Sequence, residues 1–282
     1  MAVSKTIWDK IGSARRLWIY GGTLALVLMM FYSGIPPMVS EKATQNIRDT
    51  YNFIDSLGPN DTIVMWGDNP SAYYLGHIPG AVAMFNQMIK KGVKLLYYAI
   101  EPDGPLMFKL FVAPQCQATM DEYGYTYGKD YANLGYVAGG ESGIAAVFAN
   151  LKFKETDIYG TPVSDLPVMN NKNTIKDCTA IVVLTGWSQG YYMRQGKAKY
   201  GTPVIVIGFE AALATWPPYV EAGQMFSFVH GWTGGAMYEK LIGIPGLATK
   251  GLNALSIMYI VIIFWIVLGN ISYWGKRMSG GK

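Results

Sequence analysis

The hydrophobic positions of the chain form an uncharged apolar run near each end, with short alternating segments between them. The first run covers residues 17–35 and is 19 residues long; the second covers residues 254–274 and is 21 residues long. A helix needs about 20 apolar residues to cross the hydrocarbon core of a bilayer. We therefore predict transmembrane helices at 17–35 and 252–274, with basic tails at 1–16 and 275–282.

Between these runs, short apolar segments alternate with segments of helical periodicity. A helix within residues 36–58 is predicted to lead into a domain over residues 59–251. The strand candidates are Thr62–Trp66, Val93–Ile100, Tyr131–Ala138, Ala180–Thr185 and Val204–Gly208. Continuous apolar strands separated by helices are typical of parallel sheets covered on both faces. We therefore predict an α/β fold, a Rossmann-like doubly wound parallel sheet of about five strands.

Composition and charge add an orientation to this picture. Hydrophobic residues make up 51% of the chain and charged residues 15%, against about 25% charged in ordinary soluble proteins. Basic residues near spans tend to stay in the cytoplasm. Seven lie on the terminal sides and four on the domain side: Lys5, Lys10, Arg15, Arg16, Lys276, Arg277 and Lys282 against Lys42, Arg48, Lys240 and Lys250. We expect a two-pass cell-membrane protein with cytoplasmic termini and an extracytoplasmic domain.

The net charge of +4 is spread thinly and forms no basic stripe, so we expect no nucleic-acid partner. The two cysteines, Cys116 and Cys178, and the two histidines, His77 and His230, show no metal-ligand spacing, and we expect no metal site. Whether the cysteines pair stays open, because two buried thiols fit the sequence equally well. His77 is interpreted as a structural residue at a helix start.

Polar residues collect directly after the predicted strands, where open parallel sheets bind ligands. The candidate ligand-binding positions are Asp68, Asn69, Glu101, Gly139, Gly140, Glu141, Ser142, Gly186 and Gln189. Glycines at 139–140 permit a tight turn before a helix that offers free N–H groups to an anion. However, Glu141 brings negative charge into that turn, and the first strand–helix turn lacks the G-x-G-x-x-G dinucleotide pattern. We therefore expect no cofactor.

The segment GWSQG at residues 186–190 matches the G-x-S-x-G pattern of a serine hydrolase. Ser188 follows a strand, and Glu210 and His230 come later in the order of such a triad. Only one further strand is predicted after Ser188, however, and the 42 residues from Ser188 to His230 are few for that fold. His230 also lies in an apolar aromatic stretch. We expect Ser188 to cap a helix, and we interpret the protein as a non-enzyme.

Aromatic and small residues are concentrated after the fifth predicted strand. Such residue types anchor protein interfaces, although they are equally suited to covering the sheet. The candidate interface residues are Trp216, Tyr219, Phe226, Phe228, Trp232, Gly234 and Gly235.

Four segments carry a resemblance to known proteins: YANLGYVAGGES, YGTPVSDLP, GGAMYEKLIG and the LGN of the second apolar run. They are similar to a group of bacterial and archaeal membrane proteins of unknown function with two terminal spans around one Rossmann-like domain. The resemblance implies this architecture and no site residues.

Two hypotheses about function follow. The first is a membrane-anchored, non-enzymatic module that acts as an assembly or accessory subunit, with membrane lipid and a homo-oligomer or other complex subunits as partners. The alternative is a small-ligand-binding or hydrolytic domain that uses the crevice at the strand ends.

Overall fold

A computed structural model of the chain describes residues 16–33, 42–68 and 70–278. It divides into two compact units, one of residues 39–248 and one formed by the chain ends, residues 1–38 and 249–282. Candidate site residue Asn69 lies outside the described residues.

The domain unit contains a six-stranded, wholly parallel sheet with strand order β3-β2-β1-β4-β5-β6. Its strands are β1 Thr62–Asp68, β2 Lys94–Ala99, β3 Tyr131–Tyr136, β4 Ala180–Thr185, β5 Val204–Gly208 and β6 Ser227–His230. The predicted parallel α/β sheet is therefore confirmed, with one strand more than expected. The order reverses between β1 and β4, which makes that junction the topological switch point of the sheet.

Helices alternate with the strands, as the periodicity predicted. The helices are α1 Arg16–Tyr32, α2 Gln45–Asp55, α3 Ser71–Tyr74, α4 Ile78–Lys91, α5 Gly104–Met107, α6 Gln117–Tyr123, α7 Glu141–Ala149, α8 Gln189–Tyr192, α9 Pro217–Glu221, α10 Gly231–Ile242 and α11 Leu247–Met278. π-Helical turns at Phe108–Val112 and Met193–Ala198 extend α5 and α8. A 3₁₀ turn at Ala113–Cys116, which contains Pro114, lies between the first π-helical turn and α6.

Two hydrophobic cores lie on opposite faces of the sheet, because successive strand residues point to opposite sides. Ile63 and Met65 of β1 belong to one core, which α2, α4 and α10 cover. Val64 and Trp66 belong to the other, which α7 and α8 help to cover. Burial on both faces explains why the strands are continuously apolar.

The sixth strand was missed because Ser227–His230, with the sequence SFVH, is short and begins and ends with polar residues. Ser227 is fully buried, and its hydroxyl is satisfied by the Thr50 hydroxyl of α2 at 2.7 Å. A polar side chain can lie in a buried strand when a hydrogen bond compensates its desolvation.

The unit at the chain ends contains α1 and most of α11. The stretch Leu247–Gly275 is apolar, 29 residues long and long enough to cross a membrane, since about 1.5 Å per residue gives about 44 Å. It begins five residues before the predicted bound at 252. Helix α1 is apolar but has only 17 residues. One candidate membrane-spanning helix, which covers the span predicted at 252–274, is thus present in the described part of the chain. The span predicted at 17–35 is observed only as the shorter helix α1.

Candidate functional site

The switch point brings together two predicted site regions that lie far apart in sequence. Asp68 ends β1 and pairs in register with Thr185, which ends β4. Ser188 follows three residues later at the start of α8, with Gln189 beside it. We call the group Asp68, Thr185, Ser188, Gln189 and Tyr192 the switch-point crevice.

Asp68 is the buried acid of this crevice, with only 3% of its surface exposed. Its carboxylate accepts a short hydrogen bond from the Ser188 hydroxyl. The Ser188 hydroxyl also lies 2.9 Å from the Thr185 hydroxyl, which accepts the Ser188 N–H at 3.2 Å. The serine thus bridges the ends of β1 and β4.

Burial raises the pKa of Asp68 from its ordinary 3.8 to about 7, and the charge of Glu101 adds to the rise. Hydrogen bonds from Ser188 and Thr185 act in the opposite direction, as does the nearby Tyr192 hydroxyl. Desolvation is the largest of these effects, since a charged carboxylate loses its hydration in the crevice. A buried acid whose pKa lies near neutrality in a cleft is a candidate functional residue.

Three buried polar atoms around the crevice have no hydrogen-bond partner among the described residues. They are Oε1 of Gln189, the Tyr192 hydroxyl and Nε1 of Trp66. Tyr192 is fully buried and faces Asp68 outside hydrogen-bonding geometry, and its ring packs against that of Trp66 at 5.6 Å. Buried polar groups are nearly always paired in native proteins, so we expect water or a polar ligand to complete the hydrogen bonds of these atoms.

The rim of the crevice is aromatic, and none of its aromatic residues was predicted from the sequence as part of a ligand site. Trp187, next to Ser188, is 54% exposed and meets Tyr73, which is 49% exposed, edge to face at 5.1 Å. Phe209 completes the group, with its ring 5.5 Å from that of Trp187. The Phe209 ring also occupies the space a side chain at Gly186 would need. The aromatic residues in GWSQG and SAYY could have indicated this rim. However, one segment follows β4 and the other follows β1, and the sequence does not show that they meet.

Ser188 and His230 do not form a catalytic pair. His230 ends β6, and β5 lies between it and β4, so the two strand ends stand two spacings, or about 10 Å, apart. Nε2 of His230 lies 3.9 Å from a carboxylate oxygen of Glu210, while the other Glu210 oxygen accepts the Thr233 N–H at 3.0 Å. The serine hydroxyl is instead engaged by Asp68.

The backbone at Ser188 has φ −93° and ψ 10°, so it lacks the sharp strained turn of a nucleophile elbow. The expectation that only one strand follows Ser188 was wrong, because β6 leads to His230. What speaks against catalysis is that His230 makes no contact with Ser188. Burial lowers the pKa of His230, with the charge of Glu210 acting against the shift.

His77 precedes α4 and is fully buried. Its Nδ1 lies 2.9 Å from the Tyr73 carbonyl oxygen. Burial lowers the pKa of His77 to about 4, although backbone hydrogen bonds to Tyr73 and Thr185 oppose the shift. A neutral, hydrogen-bonded ring at this position holds α3, which carries Tyr73.

The glycine-rich turn before α7 adopts the conformation expected of it, with positive φ at Gly139 and Gly140. The Glu141 carboxylate is held there by Arg194, whose Nε donates at 2.9 Å, and by the Gln195 side chain, also at 2.9 Å. These contacts lower the pKa of Glu141 to about 2. Ser142 donates to the Gly139 carbonyl. A permanent carboxylate at this turn disfavours a phosphate, as the sequence suggested.

Two acidic residues follow β2, the candidate Glu101 and Asp103, and the charge of Glu101 acts on Asp68. Glu101 and Asp103 are partly exposed, and Asp103 accepts the Ser71 N–H at 2.8 Å. Burial and the charge of Asp103 raise the pKa of Glu101. The crevice therefore has a second acidic side.

The candidate interface residues are mostly internal. Trp216 is fully buried and Phe228 is 2% exposed, both within the second core. Gly234 and Gly235 are also buried, and a Cβ at Gly235 would come within 3.2 Å of Ala248, Pro79 and Gly80. The two aromatics therefore cover the sheet and cannot form an exposed contact surface. Tyr219 and Trp232 are partly exposed, and Phe226 is 40% exposed.

A separate cavity of about 380 Å³ lies beside β3. Its lining includes Phe108, Lys109, Tyr127, Tyr131, Asn133 and Tyr159. The Lys109 ammonium stands 4.6 Å from the centre of the Tyr159 ring, in a cation–π contact.

Cys116 and Cys178 are free and buried in the structure. Across residues 16–33, 42–68 and 70–278, no group of three or more His, Cys, Asp and Glu side chains is arranged to hold a metal ion. No family model, curated protein or solved structure matches the chain, so the resemblance described above rests on its four sequence segments alone.

Proposed function

We propose that this protein is a membrane-anchored binding domain that takes a small polar ligand in the switch-point crevice and carries out no covalent catalysis. The observation that carries the proposal is the buried Asp68 carboxylate, joined to Ser188 across the ends of β1 and β4. In open α/β sheets this is the position at which ligands bind.

The polar lining of the crevice supports a binding role. Gln189 and Tyr192 present buried oxygen atoms without a partner among the described residues, and each such atom costs about 1–3 kcal/mol when it stays unpaired. A ligand that completes these hydrogen bonds would recover that free energy on binding.

A non-enzymatic role is supported by the geometry around Ser188. Its hydroxyl is engaged by Asp68 and Thr185, and His230 lies beyond β5. A serine nucleophile needs a base within hydrogen-bond reach that a third group orients. The nearby Asp68 carboxylate accepts the Ser188 hydroxyl and does not hold a histidine.

For the membrane part, we propose that α1 crosses the bilayer with α11 and that both termini are cytoplasmic. The uncharged run over residues 17–35 and the excess of basic residues on the terminal sides support this topology. The domain would then meet its ligand outside the cytoplasm.

The binding proposal is tested on full-length protein purified in mild detergent. Small molecules released by denaturation are identified by mass spectrometry for wild type, Asp68→Asn and the control Asp165→Asn, which changes an exposed carboxylate elsewhere. We expect a compound that is present with wild type and the control and depleted with Asp68→Asn. Equal recovery from all three proteins would contradict the proposal.

A role in assembly is a second candidate, and it is supported by the small residues of the apolar helices. A Cβ at Gly21, Gly22 or Gly269 would meet no other atom within 4 Å. Small residues allow close approach of helices in lipid. Crosslinking in native membranes, with Gly21→Leu and Gly22→Leu compared with wild type, tests this role, and a wild-type protein that crosslinks to nothing would exclude it.

A further inference from the structure

The charge on the crevice points to the chemistry of its ligand. Three acidic residues stand at the carboxyl ends of β1 and β2, namely Asp68, Glu101 and Asp103. Within the described residues, none of them forms an ion pair. The Arg194 guanidinium on the same edge is already committed to Glu141. Although the whole chain carries a net charge of +4, this part of the surface is acidic. A phosphate or carboxylate ligand would meet repulsion here.

The unpartnered atoms of the crevice include a buried acceptor. Gln189 is 6% exposed, and its Oε1 has no donor among the described residues. The Ser188 hydroxyl occupies one side of Asp68, and a carboxylate can accept further hydrogen bonds at its other lone pairs. Gln189 directly follows Ser188, whose hydroxyl bonds Asp68, so the crevice offers a carbonyl acceptor as well as a carboxylate. Two such acceptors are matched by a group with several N–H donors and no acceptor.

The aromatic rim adds a surface for the rest of such a ligand. Tyr73 and Trp187 are about half exposed, and the faces of aromatic rings attract cations and their polarised CH groups. Trp187 is the residue before Ser188, and its ring contacts that of Tyr73. The rest of a ligand held by Asp68 would therefore lie against these two rings.

We infer that the switch-point crevice binds a primary ammonium group, with the Asp68 carboxylate and Gln189 Oε1 accepting its N–H donors and Trp187 and Tyr73 contacting its carbon stem. A primary ammonium has three donors and no acceptor, which fits these two acceptors. A quaternary ammonium has the same charge and would leave Gln189 unpaired. The inference rests on the proposed function, and it names the ligand class.

The experiment is titration calorimetry of the full-length protein in neutral detergent at pH 8 with four probes. Putrescine and phenethylamine carry primary ammonium groups, tetramethylammonium carries only charge, and ribose carries only hydroxyls. We expect both primary amines to bind. Because hydrogen bonds to charged groups contribute about 1.5–3 kcal/mol each, N-acetylphenethylamine, which has no charge, should bind at least about tenfold more weakly than its parent.

Matched variants locate the site. Asp68→Asn should weaken phenethylamine binding at least about tenfold, and Trp187→Ala, an exposed change that leaves the core intact, should weaken it severalfold. Asp165→Asn and Tyr159→Ala should leave it unchanged. The second control addresses the cavity beside β3, where Tyr159 already faces Lys109.

The results separate failure of the amine assignment from failure of the proposed function. Stronger binding of ribose or tetramethylammonium than of the amines would overturn the amine assignment and leave a binding crevice in place. Loss of amine binding in Tyr159→Ala but not in Trp187→Ala would also overturn it. If no probe binds and no compound is recovered from the purified protein, the proposed function itself fails. Should Asp68→Asn not fold, the acetylated probe and Trp187→Ala decide the question.

Discussion

The burial of Asp68 predicts that replacing it with asparagine stabilises the protein at alkaline pH. Because burial raises the pKa of Asp68 from 3.8 to about 7, the native state keeps a proton that the unfolded state has already lost between these values. The native state therefore binds more protons, and stability falls as the pH rises through this window. Three pKa units at about 1.4 kcal/mol each amount to about 4 kcal/mol by pH 8.

Asparagine is neutral at every pH and does not carry this cost. It weakens the hydrogen bond from Ser188, for which we allow about 1–2 kcal/mol without pH dependence. Asp68→Asn should therefore be less stable than wild type by about 1–2 kcal/mol near pH 4 and more stable by about 2–3 kcal/mol at pH 8. The two proteins should be equally stable near pH 5.

The assay is urea unfolding of both full-length proteins in mild detergent at several pH values, followed by tryptophan fluorescence. Burial lowers the pKa of His77 to about 4, so His77 raises stability with pH between about 4 and 6.5 and opposes Asp68 there. Glu101 and Tyr192 also face Asp68. The difference in unfolding free energy between variant and wild type cancels the contributions of titrating groups that the two proteins share. A difference that stays constant from pH 4 to 8 would refute the reasoning, because Asp68 would then ionise like an exposed carboxyl.

Three further predictions test other parts of the structure. Ser188 should not react with a fluorophosphonate probe, and labelling that disappears in Ser188→Ala would show that it is a nucleophile after all. Gly235→Val should lower the free energy of unfolding by about 1–3 kcal/mol through overpacking, whereas Gly58→Ala, which meets no neighbouring atom, should change it by less than about 1 kcal/mol; equal effects would contradict the packing described here. Cys116 and Cys178 should react with a maleimide only after unfolding, because burial raises both thiol pKa values, and fast labelling of the native protein would contradict their burial.

The strands that the sequence predicted correctly are those whose environment is uniform. Ala180–Thr185 and Val204–Gly208 are buried along their whole length, so a continuous apolar run was sufficient to find them. In the strand Ser227–His230, the buried Ser227 hydroxyl is hydrogen-bonded to the hydroxyl of Thr50, which lies 177 residues earlier. No local pattern contains that information.

The same distinction explains which parts of the site were found. Asp68, Glu101 and Gln189 were identified as candidates because the carboxyl ends of parallel strands share one edge. The pairing of Asp68 with Ser188 joins residues 120 positions apart, and it depends on β4 lying beside β1. The aromatic segment after β5 was ambiguous for a related reason, since composition does not say whether Trp216 faces the sheet or the solvent. The structure places it in the core.

Stability and binding meet at the same carboxyl group. A domain selected for stability alone would be expected to carry a neutral or apolar residue at the position of Asp68, because a buried charge without a cationic partner is strongly unfavourable. An ammonium ligand would supply that partner, lower the pKa of Asp68 and remove most of the pH-dependent destabilisation. Ligand binding should therefore be strongest where the unliganded protein is least stable, above pH 7. The cost of burying Asp68 and the affinity for a primary amine are then two consequences of one uncompensated charge at the switch point.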